Sequence, residues 1–186
     1  MCNISTKILY EALQYYSKLG YQMVDVPLVV DLDVSAHTKP DGVPELYHGK
    51  VGEGHRCYVA SGEQSFIQLH KEGKLPYGKY MAVTPCYRHE RYISHTHYLM
   101  FMKLELIIVG VSREYADDVI EGLSYECQMF LSSNNMETVK TSMINSQVDI
   151  INLSNGVELG SYGYREMLDR TGYVYGTGCA FPRVSL

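Results

Sequence analysis

KYMAVTPCYRHERYISHTHYLMFMKLELIIVG, residues 79–110, decides how the rest of the chain is read. Two apolar runs, 80–87 and 98–109, have strand length and composition and are joined by a polar turn. The second has few interruptions, as a buried strand should. Arg88, His89, Glu90, Arg91, His95 and His97 lie in and around the turn. So much cationic and donor capacity on one hairpin tip suits a polyanion such as a nucleotide phosphate. The alternative is an exposed tip that is polar because loop tips usually are.

Upstream, residues 5–19 carry Ile8, Leu9, Ala12, Leu13, Tyr16 and Leu19 at helical spacing, and Gly20 is a natural stop. Residues 21–30 read as a strand, and Pro27 within it predicts a sheet edge or subunit boundary. Residues 31–54, with Pro40, Asp41-Gly42 and Pro44, read as a long loop, of the kind that often forms a lid. A short strand follows at 56–60, then a helix over 64–72 closed by Gly73. Glu63 falls near that helix's N-terminus, where a carboxylate satisfies the dipole.

Downstream, residues 113–131 predict a helix capped by Ser112, with Glu114, Asp117 and Asp118 at its positive end. Residues 138–153 read as one strand or as a strand with a break, Ser154-Asn155-Gly156 as a hairpin turn, and 157–162 as the returning strand. That pairing puts Asp149 and Glu158 on neighbouring strands, where carboxylates hold a divalent cation or are simply solvated. The last strand, 173–181, has glycines at 176 and 178, which admit a flat ligand or mark a bulge. Hairpins interspersed with helices predict an α+β fold: a mainly antiparallel sheet flanked by helices, in one domain over 1–186.

The chain has 186 residues, 46% apolar and 20% charged, which is globular material. A net charge of −5 argues against broad nonspecific nucleic-acid binding but leaves room for a local basic site. Five cysteines without a CxxC pair signal neither a disulfide framework nor a zinc ribbon. Reduced thiols, no signal peptide and no long apolar run predict a cytoplasmic protein that does not enter a membrane. Neither GxxxxGK[ST] nor GxGxxG after a strand occurs, so the common phosphate-loop folds are not supported.

Taken in order, these stretches resemble the catalytic core of class II aminoacyl-tRNA synthetases, the seryl type most closely, from about Leu19 to Arg183. Gly20-Tyr21 through Pro27-Leu28-Val29 resembles motif 1, the dimer-interface helix and strand. In YVASGEQ, Ser61 and Glu63 stand at the positions of the seryl Thr-x-Glu signature. TPCYRHE, HYLMF and KLE resemble motif 2, with Arg88-x-Glu90, His97 four before Phe101, then Lys103 and Glu105. Asp149-Ile150-Ile151 and ELGS, Glu158 to Ser161, resemble the strands before motif 3, and GTGCAFPR has the spacing of motif 3. Each match is weak alone; order and spacing together are specific.

The resemblance implies ATP-dependent activation of a small amino acid, with its carboxylate attacking the α-phosphate to give an aminoacyl-adenylate. It assigns Arg88 to the α-phosphate and carboxylate, and Glu90 to the adenine amino group. His97, where the family often has Arg, is assigned to the terminal phosphates. Phe101 and Arg183 would sandwich the adenine, and Glu158 would ligate Mg2+. Ser61, Glu63, Lys103, Glu105 and Ser161 would form the amino-acid pocket. Two glutamates there suit a small polar or cationic side chain, with serine the first expectation. A homodimer is implied by motif 1. The chain stops three residues after Arg183, and neither an anticodon-binding domain nor a tRNA-binding arm is expected.

Two further readings remain open. Amino acid:carrier-protein ligases share this motif 2, which makes a carrier protein an alternative acceptor to tRNA. They bind zinc through two Cys and a Glu. Glu105 and Cys179 would serve here, but Ser61 sits about where the other Cys is expected and Cys57 is only nearby, so the ligand count argues against Zn2+. The other reading is a synthetase paralogue without catalysis, serving as a regulatory or accessory subunit.

Overall fold

The computed structural model describes residues 6–39, 44, 47–51, 54–90, 92–94 and 97–185. Cys2, Ser5, Pro40, Asp41-Gly42, Arg91 and His95 lie outside the described residues. The residue 79–110 stretch forms the predicted hairpin: β5 (Gly78–Tyr87) pairs antiparallel with β6 (Met100–Val109), from Gly78↔Val109 to Tyr87↔Met100. Around it lies a seven-stranded sheet in the order β1-β5-β6-β10-β9-β8-β7. Its other members are β1 (Gln22–Met23), β7 (Thr138–Lys140), β8 (Gln147–Asn152), β9 (Glu158–Glu166) and β10 (Gly172–Phe181). All neighbours pair antiparallel except β1 with β5. The α+β class is therefore as expected.

One face of the sheet is covered by α1 (Thr6–Lys18) and α4 (Ala116–Ser133). Ala12, Tyr16, Ile120, Leu123 and Phe130 pack there against Met81, Leu104, Leu106, Ile150 and Val174. Strand alternation sends Lys103, Glu105 and Ile107 to the opposite face. There α3 (Gly62–Lys71) covers one end, packing Phe66 and Ile67 on Tyr80, Ala82, Ile107 and Tyr173. Beyond α3 this face stays open. β6 is thus apolar along one side and changes from apolar to charged along the other, where helix cover ends.

Four expectations need correction. Residues 21–30 do not make one strand: β1 joins the large sheet, while β2 (Val29–Asp31) joins a small one of order β2-β4-β3, with Pro27 between them. Residues 31–54 are not simply a loop. They hold α2 (Leu32–Thr38), whose Val34 packs with Phe66, and β3 (Tyr47–Val51), paired with β4 (Gly54–Tyr58). Residues 138–153 are two strands, because Asn145 and Ser146 take positive φ (52° and 55°) and fold β7 back on β8. Ser112 precedes a 3-10 turn, Arg113–Tyr115, without a side-chain capping bond, and α4 starts after it. Gly20 (φ 88°) ends α1, and Gly156 (φ 71°) turns β8 into β9, as predicted. No helix among the described residues is long and apolar enough to cross a membrane.

Candidate active site

Two adjoining cavities open on the uncovered face and share Arg88, Glu90 and Lys103 in their walls. The first, about 180 Å³, lies between the outer end of the β5–β6 hairpin and the end of β10, with Tyr98, Phe101, Glu158 and Arg183 around it. Arg88 leaves β5 at the hairpin's outer end and is held there: its backbone N–H donates to Leu99 O (3.0 Å) and its Nε–H to Ala60 O (3.0 Å). Its guanidinium lies 5.5 Å from the centroid of the Phe101 ring. Across the cavity, Arg183 Nη1 donates to Glu158 Oε1 (3.1 Å) and to its carbonyl (3.2 Å), tying the end of β10 to the start of β9.

The second cavity, about 350 Å³, runs from Arg88 between the start of α3 and strands β9 and β10. Its floor is built from ion pairs. Lys103 Nζ lies 2.9 Å from Glu105 Oε1, and Ser61 donates its hydroxyl to the same oxygen. Ser61 stands at the N-cap position of α3 but makes no side-chain cap bond, because its hydroxyl faces Glu105 instead. Beside this pair, Arg165 Nη1 donates to both Glu63 oxygens (2.9 and 2.8 Å), and Tyr173 donates to Glu63 Oε1 (2.8 Å). The Arg165 guanidinium stacks 4.7 Å from the centroid of the Tyr175 ring. Burial pushes the Glu63 carboxyl above its ordinary value, against the pull of Arg165 and Tyr173. Burial also pushes the Tyr175 hydroxyl up to about 12. Gln147 reaches Ser161 Oγ at 3.3 Å on the far wall. Asp149, in register with Ser161, carries a buried Oδ1 without a hydrogen-bond partner among the described residues.

Solved structures of similar fold share this architecture. The seryl-tRNA synthetase of Pyrococcus horikoshii, complexed with ATP, matches with a TM-score of 0.76 at 15% identity, over 96% of this chain and 49% of that one. PylSc, a pyrrolysyl tRNA synthetase of Desulfitobacterium hafniense, matches with a TM-score of 0.72 at 15% identity, over 96% and 66%. This chain has the class II aminoacyl-tRNA synthetase-like core fold. The prolyl-tRNA synthetase of Giardia lamblia, in complex with prolyl-adenylate, matches with a TM-score of 0.73 at 10% identity, over 96% and 43%. At such identities the likeness is one of fold, and the chain spans less than two thirds of each of these proteins. No protein-family model matches the chain, and no curated protein matches it by sequence.

On this synthetase-like core, most residues singled out in the sequence converge. Arg88, Glu90, Phe101, Lys103, Glu158 and Arg183 line the first cavity, and Ser61, Glu63, Lys103 and Ser161 the second. Glu105 lies behind Lys103, with 2% exposure. His97 is not in either wall: it is exposed in the turn, its backbone N–H donating to Ser94 Oγ at 3.1 Å, and Tyr98 lines the cavity instead. Glu63 does sit in the first turn of α3, yet its carboxylate serves Arg165 and Tyr173 rather than the helix dipole. Arg165, Tyr173, Tyr175 and Gln147 were not singled out. Alternation along β9 was the available signal, since Arg165 is four residues after Ser161 on the same side of the strand.

The residues present do not fit a zinc set of two Cys and Glu105. Cys179 packs in the core beneath the sheet with Leu104 and Cys127, whereas Glu105 faces the cavity side. Among the described residues no group of three His, Cys, Asp or Glu side chains converges as a metal cage. Magnesium requires less protein, since one carboxylate plus substrate phosphates suffices. Glu158, on the first cavity's wall and 46% exposed, fits that role.

Proposed function

We propose that this domain activates an amino acid with ATP, forming an aminoacyl-adenylate and pyrophosphate. The observation that carries the reading is the position of Arg88, in the wall shared by the two cavities. A nucleotide in the first cavity and an acid in the second would meet at its guanidinium. A carboxylate oxygen then attacks the α-phosphorus, the bond to the bridging oxygen breaks, and pyrophosphate leaves. A fixed cation at the junction of two anions brings them together and offsets the charge that develops between them. Phe101 and Arg183 would face the base, and Glu90 its amino group. Magnesium, held with the phosphates at Glu158, would neutralise them. Complexes of similarly folded synthetases with ATP and with prolyl-adenylate support the nucleotide assignment.

The finer reading follows the seryl resemblance: a minimal core that passes the amino acid to tRNA or another acceptor and works as a homodimer. Met23 and Leu28, in the motif 1 segment, are exposed in the single chain and available for that contact. Light scattering at micromolar concentration would report a monomer if the dimer is wrong.

Amino-acid-dependent ATP–pyrophosphate exchange, run across the twenty amino acids with magnesium, tests the activity. Arg88→Ala should lower exchange about 100-fold or more while leaving the circular dichroism unchanged, because it removes a site cation from a surface cleft. Wild-type exchange in that variant refutes the assignment. Nucleotide binding without exchange, in folded wild-type protein, would make this an accessory nucleotide-binding domain instead.

A further inference from the structure

We propose that Arg165 reads the side chain of the activated acid, and that this side chain ends in a planar oxygen acceptor, a carboxylate or carboxamide. The inference rests on the acid-activation reading of the same cleft and names its substrate class. If the α-carboxylate lies at Arg88, the rest of the acid extends along the second cavity toward Arg165 and Tyr175, which line it. Arg165 is anchored there from two sides. Its Nη1 is spent on Glu63, which Tyr173 holds in turn, and its plane rests on the Tyr175 ring. Its Nε–H and Nη2 hydrogens have no acceptor among the described residues, although the side chain is only 38% exposed. Such a pre-oriented fork, with one edge pinned and the other offered to a cavity, matches a carboxylate or amide oxygen.

The surrounding charge disfavours the opposite class. Of the carboxylates around the cavity, Glu63 and Glu105 are each closed by an internal cation, Arg165 for one and Lys103 for the other, and Glu90 lies in the wall shared with the first cavity. A lysine-like side chain would have to break one of those pairs and would leave a buried cation uncompensated. A purely apolar side chain would leave the Arg165 donors desolvated and unpaired. The 350 Å³ cavity also offers more room than a hydroxymethyl group needs.

Two measurements test this separately from the activation reading: pyrophosphate exchange, and calorimetric binding in the presence of a non-hydrolysable ATP analogue. The probes are L-aspartate, L-glutamate, L-asparagine and L-glutamine, against L-serine, L-leucine and L-lysine. An acceptor-bearing acid should bind at least about tenfold more tightly than leucine or lysine, since a site built for a hydrogen-bonding group rejects analogues that lack it. Preference for the acids over the amides, or the reverse, identifies which acceptor is read. Arg165→Lys keeps a cation beside Glu63 but loses the fork; it should raise KM for the preferred acid about tenfold with kcat little changed. Glu63→Gln combined with Arg165→Gln, which removes both charges together, should abolish the preference in folded protein. Preference for serine, leucine or lysine, in either assay, overturns the proposal while leaving activation standing. Acceptor-selective binding without exchange supports the proposal and overturns activation. Binding of none of the seven overturns the proposal.

Discussion

Replacing Arg165 with methionine should strand the Glu63 carboxylate and make the fold's stability depend on pH. The Glu63 side chain is 8% exposed, and Arg165 Nη1 donates to both of its oxygens. Removing one partner of a fully buried pair costs about 3–5 kcal/mol; Arg165 is 38% exposed, so the lower end of that range applies. The carboxyl has an escape, which is to take up a proton. Holding it protonated costs about 1.4 kcal/mol for each pH unit above the unfolded carboxyl's value near 4.3: almost nothing at about pH 4, about 1 kcal/mol at pH 5 and about 4 kcal/mol at pH 7. The smaller cost governs, so the loss climbs from pH 4 and levels off before about pH 7. The sign follows from proton counts. The folded variant keeps a proton that the unfolded chain has released, so stability falls as pH rises. Burial already raises the Glu63 carboxyl in the wild type, so a shallower slope of the same sign is expected there. Urea unfolding of both proteins at about pH 4.5, 6 and 7.5 measures the difference directly. A difference that does not change with pH, or one below about 1 kcal/mol at pH 7.5, refutes the claim that this pair is buried and coupled. Adding Glu63→Gln to Arg165→Met should recover most of the loss and flatten its pH dependence.

A methyl group added at Gly62 would meet Glu105 Cγ at 2.6 Å and Thr84 Oγ1 at 2.9 Å. Overpacking of about 1–3 kcal/mol outweighs a helix gain of about 0.5–1, so Gly62→Ala should lose about 1–2 kcal/mol in urea unfolding; a neutral result means that α3 does not rest on β6 as described. Phe101→Ala should weaken ATP binding about tenfold or more, the loss of one base stack, and unchanged calorimetric affinity would remove Phe101 from the adenine site. Burial pushes the Cys86 and Cys127 thiols up to about 11 and Cys179 up to about 12. With Cys57 also buried, all four should resist iodoacetamide at pH 8 until urea is added, as read by peptide mass spectrometry; labelling of any of these four in the native protein would contradict the packing.

Local patterns made the central hairpin, α1 and α4 legible, because their periodicity and stop residues lie within the segment itself. Residues 21–30 misled for the opposite reason: one apolar run serves two sheets, and nothing within it says that Pro27 separates them. Residues 31–54 look like loop because α2 is too short to show helical periodicity and buries only Val34 and Ser35. Glu63 was placed correctly at a helix start, yet its partner is 102 residues away, and only the pairing of β9 with β10 (Tyr173↔Arg165) brings that partner alongside. Arg165 lies beyond the strand read over 157–162, so alternation from Ser161 reaches it only because β9 runs on to Glu166.

The floor of the cleft follows from where helix cover ends. Lys103, Glu105 and Ile107 share one face of β6, and α3 covers Ile107 but leaves Lys103 at the cavity. The same boundary crosses β10, where Tyr173 packs under α3 and Tyr175 lines the cavity. Core and site are therefore halves of the same strands; of the charged side chains at the boundary, Glu63 and Glu105 are buried while Lys103 and Arg165 reach the cavity. Pairs in such a place contribute little stability, because the desolvation of both ions offsets their attraction; apolar replacements of similar volume would serve the fold as well. Their physical advantage lies in holding donors at fixed positions in the cleft, with Lys103 in the wall the two cavities share and Arg165 in that of the second. The pairing that closes Glu63 and Glu105 is thus the same pairing that fixes Lys103 and Arg165 in the cleft.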